Sequence, residues 1–258
     1  MTHPWFEGAA TPRVLAHRGL VTTEAARAGV AENSFAAVAA AQAAGAVYVE
    51  SDCHVTRDGT VVLFHDHDLR RVTGDPRRVD EVTLRDLEHL MSEHGGLVTL
   101  AQALDAFPDI RFNLDVKIAG SAEKVGRLIA AHGHRVLVTS FSDDRRQAAL
   151  EAAARAGGGI RPATSAGTTT VTRLLGAVSV RSRPLARRIL QGVDALQVPE
   201  RHRRLRVVTP RFVDYAHDAG VEVHVWTVNE PDDMRRLVGL GVDGIVTDRA
   251  DLALSTLR

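Results

Sequence analysis

Two acidic residues near the start of the chain have the spacing of metal ligands. Glu50 and Asp52 stand two residues apart in a strand-like stretch, so both side chains would point to the same face. Two carboxylates on one buried face repel each other and are poorly hydrated, and a bound divalent cation would resolve that conflict. Asp115 ends a later strand-like run and could supply a third ligand. An all-oxygen ligand set favours a hard ion, Mg²⁺ or Ca²⁺.

Two basic residues offer these acids a different kind of partner. Arg18 and Lys117 suit the non-bridging oxygens of a phosphate group, Arg18 through its planar fork and Lys117 as a point charge. The same two side chains could instead form salt bridges with Glu50 or Asp52, which would make the acids a structural network. The sequence leaves both interpretations open, and they do not exclude each other.

Two histidines are candidates for proton transfer. His17 and His65 each end a strand-like run beside acids and cations, which distinguishes them among the 12 histidines of the chain. Imidazole titrates near neutral pH, so one ring can accept a proton while the other, protonated, donates one. Hydrolysis of a phosphodiester needs both, a base for the nucleophile and an acid for the leaving alkoxide. We expect His17 to be the base and His65 the acid.

The elements that would position these residues alternate along the chain. Eight strand-like runs are separated by stretches of helical period, and they are 13–16, 46–52, 111–116, 135–140, 159–163, 194–198, 222–227 and 243–247. Helices are expected to begin near residues 34, 121, 143, 168, 210, 231 and 249. Repeated strand–helix units predict an α/β fold, a (β/α)₈ TIM barrel, with a doubly wound open sheet as the competing arrangement. In a barrel, the candidate residues would share the C-terminal mouth.

One segment departs from this alternation. Asp58-Gly59 lies between two apolar runs and predicts a hairpin after the second strand. Residues 66–98 are polar and arginine-rich, with a short helix expected at 84–91. The segment is too small for an independent domain, so we interpret it as an insertion between the second strand and its helix within one domain, 1–258.

Composition limits the classes of partner. The chain has 258 residues, with 45% hydrophobic and 25% charged, which is ordinary for a globular protein. Lys and Arg together number 32, as do Asp and Glu, so neither nucleic acid nor an anionic membrane is indicated as a partner. The single cysteine, Cys53, excludes an internal disulfide. With no signal-like N-terminus and no apolar run of membrane-spanning length, we expect a cytoplasmic protein without a membrane anchor. Oligomeric state is left open.

The motifs around these residues resemble the glycerophosphodiester phosphodiesterase family. They occur in the family's order over nearly the whole chain: Ala16-His17-Arg18-Gly19, Glu32-Asn33-Ser34-Phe35, the stretches 49–59 and 62–74, Asn113-Leu114-Asp115-Val116-Lys117, Val225-Trp226-Thr227-Val228-Asn229 and the stretch 241–248. Two positions differ from the pattern. Ser34 stands where the family usually has Thr. Asp115 stands where Glu is common, so it would reach an ion through a water or a small shift of the metal.

The resemblance implies a barrel with a small insertion and a specific activity. One divalent cation, Mg²⁺ or Ca²⁺, would be held by the three acids, with the two histidines as the catalytic pair. Arg18 and Lys117 would contact phosphate, and Trp226 would be either a wall of the substrate site or part of the barrel core. The family hydrolyses glycerophosphodiesters, small molecules, to an alcohol and sn-glycerol 3-phosphate.

Two other functions compete with that expectation. Some members of the family act on lysophospholipids, which would require an apolar groove, and Leu174, Leu175 and Val178 are candidates for it. Helical periodicity explains these three residues equally well. The other competitor is a catalytically inactive phosphodiester-binding protein, which the presence of both histidines disfavours.

Overall fold

Eight parallel strands form a barrel in the computed structural model, which describes residues 3–257. In chain order the strands are β1 (Arg13–His17), β2 (Tyr48–Val55), β3 (Val61–Leu63), β4 (Arg111–Val116), β5 (Val136–Thr139), β6 (Ala163–Thr164), β7 (Ala195–Pro199), β8 (Arg201–His202), β9 (Leu205–Arg206), β10 (Glu222–Trp226) and β11 (Gly244–Thr247). Around the barrel the order is β6, β5, β4, β2, β1, β11, β10, β7. A parallel bridge between Ser165 and Ala195 joins the last strand to the first. The predicted barrel is confirmed.

Helices follow the strands and cover the outside of the barrel. They are α1 (Thr23–Arg27), α2 (Phe35–Ala43), α3 (Arg70–Thr73), α4 (Leu84–Met91), α5 (Leu100–Ala106), α6 (Ala119–Ile129), α7 (Asp143–Arg155), α8 (Thr168–Ser179), α9 (Arg183–Ile189), α10 (Pro210–Asp218), α11 (Pro231–Gly239) and α12 (Ala250–Thr256). Side-chain caps begin several of them. The Ser34 hydroxyl, for example, accepts a hydrogen bond from the Ala37 amide at 3.1 Å. None of the described helices is both long and apolar enough to cross a membrane.

Some predicted boundaries are wrong for local reasons. The strand expected at 159–163 is only Ala163–Thr164, because the Ile160 amide bonds back to the Gly158 carbonyl in a turn. Helix α6 begins at Ala119 and not at Ser121, whose hydroxyl donates to the Ile118 carbonyl within the first turn. The strand expected at 46–52 begins at Tyr48 and runs on to Val55, since its end pairs with β3.

The segment predicted as an insertion carries its own small core. The hairpin is confirmed, because β3 pairs antiparallel with β2. Helix α4 occupies the expected residues, Leu84–Met91. Buried apolar side chains hold this part of the chain together, namely Val62, Phe64, Leu69, Val79, Val82, Leu87 and Met91. The segment thus packs over the end of β2 and β3, next to His65.

The N-terminal residues close the bottom of the barrel. A 3₁₀ turn at Pro4–Phe6 buries Trp5 completely, and its ring lies 4.6 Å from that of Tyr48. The Trp5 indole N–H donates to the Phe112 carbonyl at 3.2 Å, which satisfies the one polar atom of the ring. Arg13, at the start of β1, donates to both carboxylate oxygens of Glu222 at 2.8 Å. The open end of the barrel is therefore the other one.

We expect Trp5→Ala to lower the free energy of unfolding by about 3–5 kcal/mol, because it removes a large buried ring and leaves a cavity. Urea unfolding followed by circular dichroism measures the loss. Val180→Ala is the control, since 68% of Val180 is exposed, and its effect should be small. A loss as small for Trp5→Ala as for the control would contradict a packed barrel floor.

Candidate active site

A cavity of about 530 Å³ lies where the C-terminal ends of the barrel strands meet. All eight residues predicted for the site line it, namely His17, Arg18, Glu50, Asp52, His65, Asp115, Lys117 and Trp226. They come from β1, β2, β4, β10 and the loops that follow these strands and β3. Position alone assigns no role, so the chemistry depends on the contacts that each side chain makes.

A tight turn after β1 places His17 and Arg18 at the mouth of the cavity. Arg18 has a positive φ of 59° and Gly19 one of 87°. A Cβ on Gly19 would lie 2.6 Å from the carbonyl carbon of Ala37, so only glycine fits this close approach to α2. The Arg18 amide donates to the Glu50 carbonyl at 2.8 Å, which ties the turn to β2.

The three acids lie on neighbouring strands with a lysine between two of them. Asp52 on β2 is the register partner of Asp115 on β4. The Lys117 ammonium lies 2.9 Å from Asp52 Oδ1 and 2.8 Å from Asp115 Oδ2. Arg18 Nε lies 3.3 Å from Asp52 Oδ2, and its NH1 group lies 2.7 Å from Glu32 Oε1. The network of salt bridges that the sequence left open is present, so both cations already balance acidic charge.

Burial and charge give the three carboxyl groups different acidities. Burial raises the pKa of Glu50 well above its usual value, and Asp52 and Asp115 raise it further. Burial, together with the charge of Asp52, also raises the pKa of Asp115 against the opposing effect of Lys117. Burial alone would raise the pKa of Asp52, but Lys117 and Arg18 outweigh it and hold that pKa below its ordinary value. Asp52 is therefore the acid whose charge the basic residues compensate most fully.

The oxygen atoms left over fit a hard cation in their chemistry. Within the part of the chain that the structure describes, Glu50 Oε2 and Asp115 Oδ1 are buried without a hydrogen-bond partner. Such atoms are costly unless a donor or a cation satisfies them. Across residues 3–257, however, no three His, Cys, Asp or Glu side chains are grouped closely enough to hold a metal ion. The oxygen ligands therefore suit a cation by their chemistry, but in this arrangement the positive charge between Asp52 and Asp115 comes from Lys117.

His17 is anchored to the residue that follows the neighbouring strand β11. Its Nδ1 atom lies 2.6 Å from Asp248 Oδ1, and its Nε2 atom lies 3.8 Å from Glu50 Oε2. Asp248 is held in turn by Asn229, whose side-chain amide donates to Asp248 Oδ2 at 2.8 Å. The hydrogen bond with His17 is the main cause that lowers the pKa of Asp248. A carboxylate thus orients the imidazole and leaves Nε2 for proton transfer.

His65 is anchored in the same manner. Its Nδ1 atom lies 2.6 Å from Asp66 Oδ1, and Asp66 Oδ2 accepts from Arg71 Nε at 2.6 Å. Burial alone would raise the pKa of Asp66, but the hydrogen bonds and charges of Arg71 and His65 outweigh it and lower that pKa. Behind the site, the His54 ring lies 3.2 Å from the His65 carbonyl, and burial lowers the pKa of His54 to about 4. His54 is therefore a neutral ring that helps to fix the backbone of His65.

Trp226 and Phe141 form an apolar wall beside the charged groups. The two rings are 6.0 Å apart and nearly perpendicular, at 77°. Trp226 also packs against the buried cluster that contains Trp5. The Trp226 side chain therefore both lines the cavity and packs into the core, so the sequence-based interpretations of Trp226 as a site wall and as a core residue are compatible.

Several contributing residues were not assigned by sequence reasoning. Asp66, Asp248, Asn229 and Asn113 all lie in the quoted motifs, but no role followed from residue type alone. A signal existed for two of them, because Asp66 directly follows His65 and Asp248 directly follows the last barrel strand.

Comparison with known proteins assigns the family. A model of the glycerophosphoryl diester phosphodiesterase family matches residues 17–252, and the chain belongs to this family. A protein of Mycobacterium tuberculosis named "Probable glycerophosphodiester phosphodiesterase 2" is 38% identical over 247 residues, covering 94% of this chain and 89% of the relative. A human lysophospholipase D is 23% identical over 249 residues, with coverage of 84% and 79%.

Solved structures agree on the fold. A glycerophosphodiester phosphodiesterase from Thermotoga maritima has a TM-score of 0.69 at 24% identity, covering 94% of this chain and 96% of that one. An Oleispira antarctica phosphodiesterase, solved in complex with the product sn-glycerol-3-phosphate, has a TM-score of 0.69 at 22% identity, with coverage of 95% and 96%. The barrel described above is therefore the barrel of these proteins.

Lys117→Met tests the charge balance among the acids. Removing the ammonium leaves Asp52 and Asp115 facing each other in a buried place, so we expect a loss of about 3 kcal/mol of unfolding free energy. That is the lower end for a buried charge pair, since the Lys117 side chain keeps 18% exposure. Lys124→Met, on the outer helix α6, is the matched control. Equal unfolding midpoints in urea for the two variants would show that Lys117 balances nothing.

Proposed function

We propose that this chain hydrolyses glycerophosphodiesters to an alcohol and sn-glycerol 3-phosphate by two-histidine acid–base catalysis. One observation carries the proposal: two imidazoles, each held through Nδ1 by a carboxylate, line the same cavity as Arg18 and Lys117. Membership of the glycerophosphoryl diester phosphodiesterase family supports the substrate class. Small molecules of this class suit a cavity of about 530 Å³.

In the proposed reaction the nucleophile attacks phosphorus in line with the leaving alkoxide. His17 Nε2 takes the proton of the nucleophile, and Asp248 stabilises the imidazolium that forms. His65 Nε2 gives its proton to the leaving alkoxide, while Asp66 keeps that ring oriented. Arg18 and Lys117 donate hydrogen bonds to the non-bridging oxygens, where negative charge accumulates in the transition state.

The nucleophile is either water or the neighbouring hydroxyl of the substrate's own glycerol. The second route passes through a cyclic phosphate, which phosphorus NMR detects during single turnover. A cyclic species that forms and decays would establish the internal hydroxyl as the nucleophile. Its absence, with oxygen-18 from solvent entering the product in one step, would establish water.

A divalent cation, Mg²⁺ or Ca²⁺, is part of the proposal. Two oxygens, Glu50 Oε2 and Asp115 Oδ1, are buried without a partner in the described structure, which supports a cation. The described acids are not grouped closely enough to hold an ion as they stand, so Glu50, Asp52 and Asp115 would hold it once their side chains move together. When bound, the ion supplies Lewis-acid stabilisation of charge on the phosphate oxygens. Carboxylates are the ligands that both ions prefer, so the donor set does not choose between them.

Replacing either histidine tests the acid–base assignment. His17→Ala and His65→Ala are each expected to lower kcat/KM for glycerophosphocholine by about 10²–10⁴-fold, because each removes one proton transfer. His89→Ala, an exposed position on α4, is the matched control and should leave the rate unchanged. Losses below about tenfold for both site variants would mean that neither imidazole transfers a proton.

Chelation tests the metal. After treatment with excess EDTA we expect activity to disappear and to return with Mg²⁺ or Ca²⁺, because chelation removes the ion that would stabilise charge on the phosphate oxygens. Full activity in excess EDTA would contradict a role for the ion. If the metal-loaded protein binds glycerophosphodiesters but hydrolyses none of a panel of diesters, the chain is a binding protein and the proposed activity is wrong.

A second candidate substrate is a lysophospholipid, which carries one acyl chain. One side of the cavity is apolar, with Phe141, Val171, Leu175 and Val207 among its lining residues. Of the three residues that the sequence suggested, only Leu175 lines this cavity, whereas Leu174 and Val178 pack into the core. A relative named as a lysophospholipase D also points in this direction.

Comparing glycerophosphocholine with lysophosphatidylcholine decides between the two substrates. If the acyl chain lies on this wall, Leu175→Asn should reduce only the rate with lysophosphatidylcholine. Faster turnover of glycerophosphocholine, with no selective effect of Leu175→Asn, would leave the small diester as the substrate.

A further inference from the structure

A chain of hydrogen bonds runs inside the barrel from its closed end to the cavity. His224 Nε2 lies 3.0 Å from Glu222 Oε2, and His224 Nδ1 lies 3.2 Å from the side-chain nitrogen of Gln197. The oxygen of the Gln197 amide lies 3.1 Å from Asn113 Nδ2. Gln197 and Asn113 both line the cavity, whereas His224 is fully buried outside the cavity-lining residues. The proposed reaction uses none of these four residues.

The charge of Glu222 gives this chain a direction. Arg13 and His224 outweigh burial and lower the pKa of Glu222 to about 2, so its carboxylate can only accept hydrogen bonds. His224 Nε2 must then donate to Glu222, and the Gln197 side-chain nitrogen, which can only donate, gives its hydrogen bond to His224 Nδ1. The Gln197 oxygen accepts in turn from Asn113 Nδ2. The amide of Asn113 is therefore fixed with its oxygen pointing away from Gln197.

That oxygen has no partner of its own. Asn113 is 1% exposed, and its Oδ1 atom finds no hydrogen bond within residues 3–257. A buried carbonyl without a donor is unfavourable, and because Asn113 lines the cavity, a hydroxyl of a bound ligand is a donor that would satisfy its oxygen. In register, Asn113 is paired with Glu50, two residue pairs nearer the closed end of the barrel than Asp52 and Asp115. The atom therefore lies deeper than the charged groups expected to contact phosphate.

We propose that Asn113 Oδ1 accepts a hydrogen bond from a hydroxyl group of the substrate's glycerol moiety. Glu222, His224 and Gln197 are positioning residues that hold this acceptor in place. The inference rests on the proposed function, because a glycerophosphodiester offers hydroxyl donors within a few bonds of its phosphate. It adds an orientation to that function: the glycerol lies toward the barrel floor, and the alcohol that leaves lies toward the open mouth.

Equilibrium binding tests this without requiring turnover. Calorimetry on the metal-loaded protein compares sn-glycerol 3-phosphate, which has the hydroxyls, with inorganic phosphate, which lacks the glycerol. We expect Asn113→Leu, of similar volume, to weaken glycerol 3-phosphate about tenfold, as loss of one hydrogen bond implies, and to leave phosphate unchanged. Gln147→Leu, an exposed amide on α7, is the matched control and should change neither affinity.

His224→Phe tests the positioning from outside the cavity, and it serves also if Asn113→Leu fails to fold. It should weaken glycerol 3-phosphate alone, by less than Asn113→Leu does. The inference is overturned if Asn113→Leu weakens the affinity for both ligands equally or for neither. It is also overturned if wild-type protein binds glycerol 3-phosphate no better than phosphate. A selective loss of Mg²⁺ or Ca²⁺ affinity in Asn113→Leu would overturn it too, since the oxygen would then serve the cation.

These outcomes are separable from the proposed reaction. If wild-type protein hydrolyses glycerophosphocholine while Asn113→Leu binds both ligands normally, the activity stands and this inference fails. If wild-type protein hydrolyses no diester but prefers glycerol 3-phosphate to phosphate, and Asn113→Leu loses that preference, the glycerol-binding role of Asn113 stands and the proposed activity is wrong.

Discussion

The mouth of this barrel depends on a balance of charge among three buried acids and two basic residues. Glu50, Asp52 and Asp115 lie on two adjacent strands, where parallel register pairs Asp52 with Asp115 and Glu50 points to the same face two residues before Asp52. Without compensation, like charges in a buried place would oppose folding. Lys117 neutralises part of that charge directly, and Arg18 approaches from the other side of Asp52. The remaining oxygens are the reason to expect a cation there.

The same balance prepares the site for an anionic substrate. Arg18 and Lys117 are held by acids, so their side chains are ordered before a phosphate arrives, which lowers the entropic cost of binding it. The two histidines are ordered by separate carboxylates from distant parts of the chain. Asp248 follows the last barrel strand and Asp66 belongs to the insertion, so the barrel and its insertion each supply one carboxylate to the proposed proton-transfer pair.

Much of the barrel and its site could be predicted from local patterns. Strand periodicity and the rule that barrels work at their C-terminal ends were enough to gather His17, Glu50, Asp52 and Asp115. Contacts between distant parts of the chain could not be predicted in this way. His17 and Asp248 are separated by 231 positions, and Asn113 and Gln197 by 84. Their pairing depends on barrel closure and strand register, which residue types do not specify.

Local exceptions to the usual signals explain other differences. The hairpin of β8 and β9 was missed because its turn places Arg203 at a φ of 53°, where glycine or asparagine is the expected marker. The sixth strand was predicted too early, since a β-branched residue, Ile160, sits in a glycine turn and not in the sheet. At Arg203 the backbone adopts a conformation that the local sequence does not favour, whereas the glycines before Ile160, with positive φ at Gly157 and Gly159, do favour a turn.

The pH dependence of kcat/KM for glycerophosphocholine tests the central claim of a two-histidine pair most directly. The account predicts a bell-shaped profile, with His17 on the ascending limb as base and His65 on the descending limb as acid. Asp248→Asn should then alter only the ascending limb, and Asp66→Asn only the descending limb. A profile that lacks either limb, or two variants that alter the same limb, would contradict this assignment.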